Sequence, residues 1–201
     1  KRGGYETTWT EDLCWTWVWG IFKHLVVRTP QKKIAVRWKI FQKALQKAGI
    51  DRYDMALSSC EILKANDHKD PFHGPDAVCY NGKYQQHYIL AYMTALQQGL
   101  NQAGKPFFHY NEINVAHEDT GRRIQTLDGD LAEYFRFVST QDNMITILFA
   151  DHGNNYGKYF TRSEEARLEM YHPTMTILAS KNVAEILGER RMGADCQSGP
   201  V

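Results

Sequence analysis

The amino-acid sequence predicts an α/β fold in which a mostly parallel sheet is flanked by helices. The first observation is the unbroken run Met-Ile-Thr-Ile-Leu-Phe-Ala at 144–150, which is typical of a strand buried on both faces. The second is a strand-like segment at 107–113, and the third is an amphipathic helical pattern at 126–140 between the two. Strand, helix and strand in this order predict one right-handed βαβ unit with both strands in the same sheet.

Composition limits the classes of protein to consider. A chain of 201 residues with 43% hydrophobic content can bury a core, and one domain is expected. The formal net charge of +1 gives no general attraction to nucleic acid or to an anionic membrane surface. No apolar run reaches the roughly 18–20 residues needed to span a bilayer, and residues 1–5 lack the apolar core of a signal peptide.

The amino-terminal part combines a predicted strand, an aromatic run and a predicted helix. Residues 5–9 alternate enough for a short strand, and the run Trp-Thr-Trp-Val-Trp-Gly at 15–20 is expected to pack in the core or in a loop. Residues 30–48 place apolar side chains at three- and four-residue steps and lysines on the opposite face, which predicts a helix. We expect that lysine face to be solvated; polyanion binding is the alternative.

The middle of the chain is less regular. Residues 51–80 show no clear period, and the loop at 66–76 gathers turn-forming residues with five potential ligands: Asp67, His68, Asp70, His73 and Asp76. Their spacing matches no metal-ligand pattern, so an ordinary polar loop is expected. A helix is predicted within 84–96, because its apolar residues share one face.

The end of the chain is predicted to contain one more strand and a short helix. Residues 174–179 read as an apolar strand, and 182–187 as a short helix. Residues 188–201 read as a loose tail.

The four cysteines, at positions 14, 60, 79 and 196, have no Cys-x-x-Cys spacing, which argues against a structural zinc site. In a secreted chain they would form bridges, with Cys60–Cys79 as the first choice. In a cytosolic chain the same number would be free thiols.

The predicted site lies at the carboxyl end of the strand at 144–150, where open α/β sheets bind their ligands. Asp151 offers a carboxylate and His152 an imidazole, and Gly153 lets the backbone approach closely, so this pair can hold a divalent cation. His117 follows the strand at 107–113 and reaches the same edge of the sheet if both strands point the same way. The alternative is an aspartate that caps the next turn, with a histidine hydrogen-bonded to it.

Several segments carry a resemblance to a known family. Leu-Phe-Ala-Asp-His-Gly-Asn-Asn-Tyr-Gly at 148–157 resembles the metal-binding segment of the sulfatase and alkaline-phosphatase superfamily, and is most similar to the sulfatase-like family DUF229. Supporting segments follow in the family's order: Glu-Asp at 11–12 after a strand, the Cys-x-x-Gly-Lys turn at 79–83 before a helix, Lys-Pro-Phe-Phe at 105–108, and Leu-Glu before a proline at 168–173. In the last segment, Met-Tyr-His replaces the family's Glu-Arg-Leu.

The resemblance implies an alkaline-phosphatase-like fold that is incomplete at its amino-terminal side, with residues 1–201 forming the carboxyl-terminal part of one domain. It also implies a fragment or degenerate copy of a metal-dependent hydrolase of sulfate or phosphate esters. Asp151 and His152 would bind a divalent Zn, Ca or Mn ion, His117 would be catalytic, and Lys158 and His172 would contact the substrate. No residue of this chain corresponds to the nucleophile.

The resemblance further implies a small anionic ester, or a sulfated or phosphorylated glycan, as the substrate. It places the protein outside the cell or in the lumen of the secretory pathway, and therefore favours oxidised cysteines. An alternative of a different class is a non-catalytic extracellular or luminal α/β interaction module that keeps the scaffold without the chemistry.

Overall fold

The computed structural model describes residues 3–17, 33–68, 71–74, 76–155 and 157–192, and of 189–192 only the helical backbone. In chain order its elements are β1 (Glu6–Glu11), α1 (Ile34–Lys47), α2 (Met55–Ala65), β2 (Cys79–Tyr80), β3 (Lys83–Tyr84), α3 (Gln85–Gln102), β4 (Phe107–Glu112), a 3-10 helix (Arg123–Leu127), α4 (Asp128–Ser139), β5 (Ile145–Phe149), α5 (Gly157–Arg162), α6 (Glu164–Met170), β6 (Met175–Ala179) and α7 (Lys181–Met192). Within the described residues the fold is α/β, with small sheets of which one is parallel.

The parallel sheet is formed by β1 and β4. Their register runs from Glu6 opposite Phe107 to Glu11 opposite Glu112, so both carboxyl ends lie at the same edge. Strand β4 matches the strand predicted at 107–113, and β1 overlaps the strand predicted at 5–9. The loops that follow β1 and β4 therefore start side by side, and one of them carries His117.

The expectation that 107–113 and 144–150 share one sheet is wrong for the described strands. β5 pairs with β6 in an antiparallel ladder, while β4 pairs with β1. Nor is β5 an interior strand, because Ile145, Ile147 and Phe149 are 49%, 52% and 56% exposed. The face of β5 that carries these three side chains is exposed. Periodicity alone cannot distinguish such a strand from one that is covered on both faces.

Two apolar clusters hold most of the helices together. In the first, α3 packs against α4 through Ile89, Met93, Tyr134 and Val138. The second surrounds α1 and α2, with Trp15, Phe41, Leu45 and Ala56 buried together. Full burial of a leucine or phenylalanine stabilises a fold by roughly 1.5–3 kcal/mol relative to exposure, so these clusters contribute strongly to holding the four helices together.

Four helices differ from the prediction. α2 lies in the region that was expected to be irregular, and its Ser59 is buried and donates a hydrogen bond to the carbonyl of Glu11 at 2.7 Å. This polar residue on the buried face obscures the apolar period. α5 and α6 occupy the stretch between the Asp-His-Gly loop and β6. α7 continues through Met192, so part of the predicted tail is helical; 193–201 lie outside the described residues, as does the predicted helix start at 30–32.

The disulfide pairing corrects the sequence-based expectation. Cys14 is bonded to Cys60, with Cα atoms 4.3 Å apart, and Cys79 is an exposed free thiol. The bridge ties the loop after β1 to α2. Cys196 lies outside the described residues.

None of the helices in the described part of the chain is long and apolar enough to cross a membrane.

Candidate functional site

The loop after β5 docks onto the loop after β4, although the two strands are not paired. The side-chain amide of Asn154 donates to the carbonyls of Ala116 and Glu118, at 3.4 and 3.1 Å. Gly157 lies against the backbone of Asp119, where a β-carbon would fall 2.1 Å from the Asp119 oxygen. The segment carrying Asp151 and His152 is therefore held against the segment carrying His117.

The other glycine of the motif also marks a close backbone approach. A β-carbon at Gly153 would fall 2.4 Å from the carbonyl oxygen of Glu169, and the Gly153 N–H donates to the carbonyl of Met170 at 3.0 Å. Asp-His-Gly-x-x-x-Gly thus contacts α6 through its first glycine and the His117 loop through its second. Only glycine fits such contacts without moving the backbone of a neighbour.

Asp151 and His152 place an oxygen and a nitrogen of the kinds that bind metal ions close to each other. The Asp151 Oδ1 accepts the His152 backbone N–H at 3.0 Å, and the Asp151 side chain is 87% exposed. The His152 Nδ1 lies 2.6 Å from the carbonyl oxygen of Gly153, and since a carbonyl only accepts, Nδ1 carries the proton. In the neutral ring Nε2 then keeps its lone pair, and it lies 3.7 Å from the Asp151 Oδ2.

This geometry fits two positions around one divalent cation. Bonds of about 2.0–2.2 Å from a nitrogen and an oxygen span up to roughly 4 Å, so Oδ2 of Asp151 and Nε2 of His152 can both reach a single ion. A ligating histidine commonly donates its other N–H to a carbonyl, as His152 does to Gly153. No group of three or more His, Cys, Asp or Glu side chains in the described ranges is arranged to hold a metal ion.

His117 lies in the same neighbourhood. Its half-buried ring packs against Phe72, with ring centroids 3.9 Å apart, and against His73 at 5.9 Å. Burial lowers the pKa of His117, and repulsion from the imidazoles of His73 and His152 lowers it further. A ring with a depressed pKa is mainly neutral at pH 7.

The negative charge of the Asp151 carboxylate acts on Tyr110 in β4. Burial raises the pKa of the Tyr110 hydroxyl, and the nearby negative charges of Glu112, Asp151 and Glu11 raise it further. Tyr110 and Glu112 belong to β4 and Glu11 to β1. The loop that carries Asp151 and His152 is therefore held against the loop that carries His117 by loop docking, since β5 and β4 belong to different sheets.

The loop that carries His117 is braced by a buried carboxylate. Glu118 is 1% exposed and accepts the backbone N–H groups of Thr120, Arg122 and Arg123 at 2.6, 2.7 and 3.1 Å. Burial alone would raise the pKa of Glu118, but these donors outweigh it and lower the pKa. Glu118 thus shapes the turn into the 3-10 helix, a role that sequence reasoning missed because only its neighbours in space reveal it.

A buried arginine and a buried aspartate also hold the loop that carries His117 in place. Arg123 donates from Nε to the carbonyl of Val115 at 2.9 Å and from Nη2 to those of Asn114 and His117 at 3.1 and 3.3 Å. The Asp12 carboxylate accepts the backbone and side-chain N–H groups of Asn114 at 2.6 and 2.8 Å. Burial raises the pKa of Asp12 to about 6. The Glu-Asp pair at the end of β1 is visible in the sequence, but the role of Asp12 in holding this loop is not.

The two predicted substrate residues lie on the surface near the Asp-His-Gly loop. Lys158 is exposed in the first turn of α5, directly after Gly157. His172 is exposed at the end of α6, where its Nδ1 lies 2.7 Å from the carbonyl of Leu168 and its backbone N–H donates to that of Glu169 at 3.1 Å. Gly153 contacts the same end of α6, so both residues flank the loop.

Comparison with known proteins gives one family match. The model of a family described as "Protein of unknown function (DUF229)" matches residues 31–187. No curated protein and no solved structure matches the chain.

Proposed function

The chain belongs to the DUF229 family, and from that premise we propose that it forms part of a metal-dependent hydrolase acting on anionic sulfate or phosphate esters. The observation that carries the proposal is the relation between Asp151 and His152. Their Oδ2 and Nε2 atoms are 3.7 Å apart, and the Gly153 carbonyl fixes the tautomer that leaves Nε2 able to bind a cation.

The groups around this pair suit recognition of an anion. A divalent cation such as Zn, Ca or Mn, when bound, supplies the charge that neutralises the ester's anionic oxygens. His117 presents a mainly neutral imidazole that can donate one hydrogen bond to such an oxygen. Lys158 and His172, exposed on either side of the loop, contact the outer part of the substrate.

The proposed substrate is a small anionic ester or a sulfated or phosphorylated glycan. None of the described residues is assigned the role of nucleophile. The proposed location is outside the cell or in the secretory lumen, and the Cys14–Cys60 bridge is compatible with this because such bonds persist in oxidising compartments.

Binding of product anions tests the proposal without requiring turnover. Calorimetric titration of the full chain with inorganic phosphate, or with sulfate, should give binding in the presence of Zn²⁺ or Mn²⁺ and none in the presence of a chelator. Asp151→Asn should abolish the metal-dependent part, whereas Asp142→Asn, at another exposed carboxylate, should leave it unchanged. Equal anion binding with and without a cation would refute the proposal.

A second candidate function, a non-catalytic interaction module, is favoured by a separate observation. One face of the β5–β6 pair exposes five apolar side chains: Ile145, Ile147, Phe149, Met175 and Ile177. Contiguous apolar faces of this kind commonly mark protein-binding surfaces. Concentration-dependent self-association in sedimentation experiments, abolished by Ile177→Lys, would support this function. A chain that stays monomeric and binds phosphate through a cation would exclude it.

A further inference from the structure

The residues at 71–74 contact His117 although they are more than 40 positions away in the sequence. The Phe72 ring packs on the His117 imidazole, with centroids 3.9 Å apart and planes inclined at 51°. The His73 ring meets the same imidazole edge-on, at 5.9 Å and 80°. The backbone N–H of His73 also donates to the carbonyl oxygen of His117 at 3.2 Å.

We propose that Phe72 and His73 are positioning residues of the candidate site, which hold the His117 imidazole in the orientation it needs toward an anionic oxygen. The role of His117 in this inference rests on the proposed function. Two flat surfaces set at different angles restrict rotation of an imidazole more than either does alone. Preorganised donors are worth more than mobile ones because they need no reorganisation when the ligand binds.

Each positioning residue is itself supported. Phe72 packs against Trp17, with ring centroids 6.0 Å apart, on the segment that follows Cys14. The His73 Nδ1 lies 2.9 Å from the Asp119 Oδ1, and Asp119 is the residue whose carbonyl contacts Gly157. The chain of contacts therefore runs from the Asp-His-Gly loop through Asp119 and His73 to His117.

The backbone at His73 supports the same conclusion. Its φ of +65° lies in the left-handed region, which costs a non-glycine residue of order 1 kcal/mol or more and persists only where surrounding contacts maintain it. This conformation allows the His73 ring to face Asp119 while its N–H faces the His117 carbonyl.

The two residues are expected to contribute unequally. The side chains of His73 and Asp119 are 56% and 54% exposed, and an exposed pair of this kind contributes little, about 0.2–1 kcal/mol. Phe72 is partly buried and makes the closer ring contact. Loss of the Phe72 ring should therefore disturb His117 more than loss of the His73 ring.

Imidazole NMR tests the positioning role directly. In the full chain labelled with ¹⁵N, Phe72→Leu keeps an apolar side chain but removes the ring, and His73→Asn keeps a residue that tolerates positive φ. We expect the nitrogen shifts of His117 to change in both variants and its titration midpoint to rise, with the larger effect in Phe72→Leu. Phe72→Tyr should restore both, and Phe108→Leu, at an exposed site, should change neither.

Phosphate binding provides the second readout. With Zn²⁺ or Mn²⁺ present, Phe72→Leu should weaken inorganic phosphate binding by about tenfold, as expected for loss of one well-placed hydrogen bond to a charged group. No effect of His117→Gln on phosphate binding would refute the proposed role of His117, while the NMR result still decides whether its ring is held. Unchanged nitrogen shifts and midpoint of His117 in both Phe72→Leu and His73→Asn would overturn the inference.

Discussion

Gly157 lies so close to Asp119 that a β-carbon at position 157 would come within 2.1 Å of the Asp119 carbonyl oxygen. This contact joins the loop of Asp151 and His152 to the loop of His117. The second glycine of the Asp-His-Gly-x-x-x-Gly motif is therefore explained by loop docking, with no need for a direct role in chemistry.

Substitution of this glycine measures the strength of the docking. Gly157 has a φ of +77°, so Gly157→Ala introduces both an unfavourable backbone conformation and a clash with Asp119. We expect the free energy of unfolding to fall by about 2–4 kcal/mol. Urea titration followed by tryptophan fluorescence provides the measurement.

A matched variant separates the two effects. Gly121 has a similar φ of +68°, but a β-carbon there would meet no atom within 4 Å. Gly121→Ala should therefore lower the free energy of unfolding by only about 1 kcal/mol, the contribution of the unfavourable backbone conformation alone. Equal losses in the two variants would show that Gly157 does not make the docking contact.

The disulfide gives a prediction with an internal control. The Cys14–Cys60 bridge spans 46 residues of sequence, and the chain-entropy model assigns such a loop about 4 kcal/mol of stabilisation. The double variant Cys14→Ser/Cys60→Ser should lose roughly that amount. Cys79→Ser should be nearly neutral because that thiol is free and exposed. Non-reducing peptide mapping that finds Cys60 joined to Cys79 would contradict the pairing.

Asp12 should make stability fall as the pH rises. Burial raises its folded-state pKa from 3.8 to about 6, so between these values the folded state holds more protons than the unfolded state. Its stabilising contribution is complete below about pH 4 and is lost as the pH rises through about 6, a change of about 3 kcal/mol. Because His109 acts in the opposite direction over a similar range, Asp12→Asn should make stability rise more steeply from pH 4 to 7 than it does in the wild-type chain; an unchanged pH dependence would contradict the burial effect.

His109 should have the opposite effect over a similar range. Burial lowers its folded-state pKa from 6.5 to about 4, so the unfolded state takes up a proton first as the pH falls. The contribution of His109 is present above about pH 6.5 and is lost as the pH falls toward 4, by about 3 kcal/mol. The difference in unfolding free energy between His109→Gln and the wild-type chain should therefore favour the variant more at pH 4.5 than at pH 7. The double variant Asp12→Asn/His109→Gln should lack both of these pH-dependent contributions to the free energy of unfolding.

Local patterns predicted the elements of the site but not their assembly. The strands β4 and β5 could be predicted because apolar runs are continuous in the sequence, and the same is true of the position of the Asp-His-Gly motif directly after β5. The pairing of β5 with β6 could not, since an apolar run does not reveal which of its faces is covered. The Cys14–Cys60 bridge depends on a Cα distance of 4.3 Å that cysteine spacing does not encode.

The least predictable features are contacts between distant loops. His73 belongs to a polar loop whose spacing matches no ligand pattern, and only the fold brings it to His117 and Asp119. Glu118 resembles a potential ligand in the sequence, yet its carboxylate is occupied by three backbone N–H groups. In such loops, the role of a side chain depends on the residues that the fold places next to it.

Calorimetric titration of the full chain with Zn²⁺, and separately with Mn²⁺ and Ca²⁺, tests the central claim most directly. We predict binding of about one cation per chain, weakened at least about tenfold by either Asp151→Asn or His152→Gln and unchanged by Asp142→Asn. A chain that binds none of the three cations, or binds them equally well after both substitutions, would contradict the assignment of Asp151 and His152 as metal ligands.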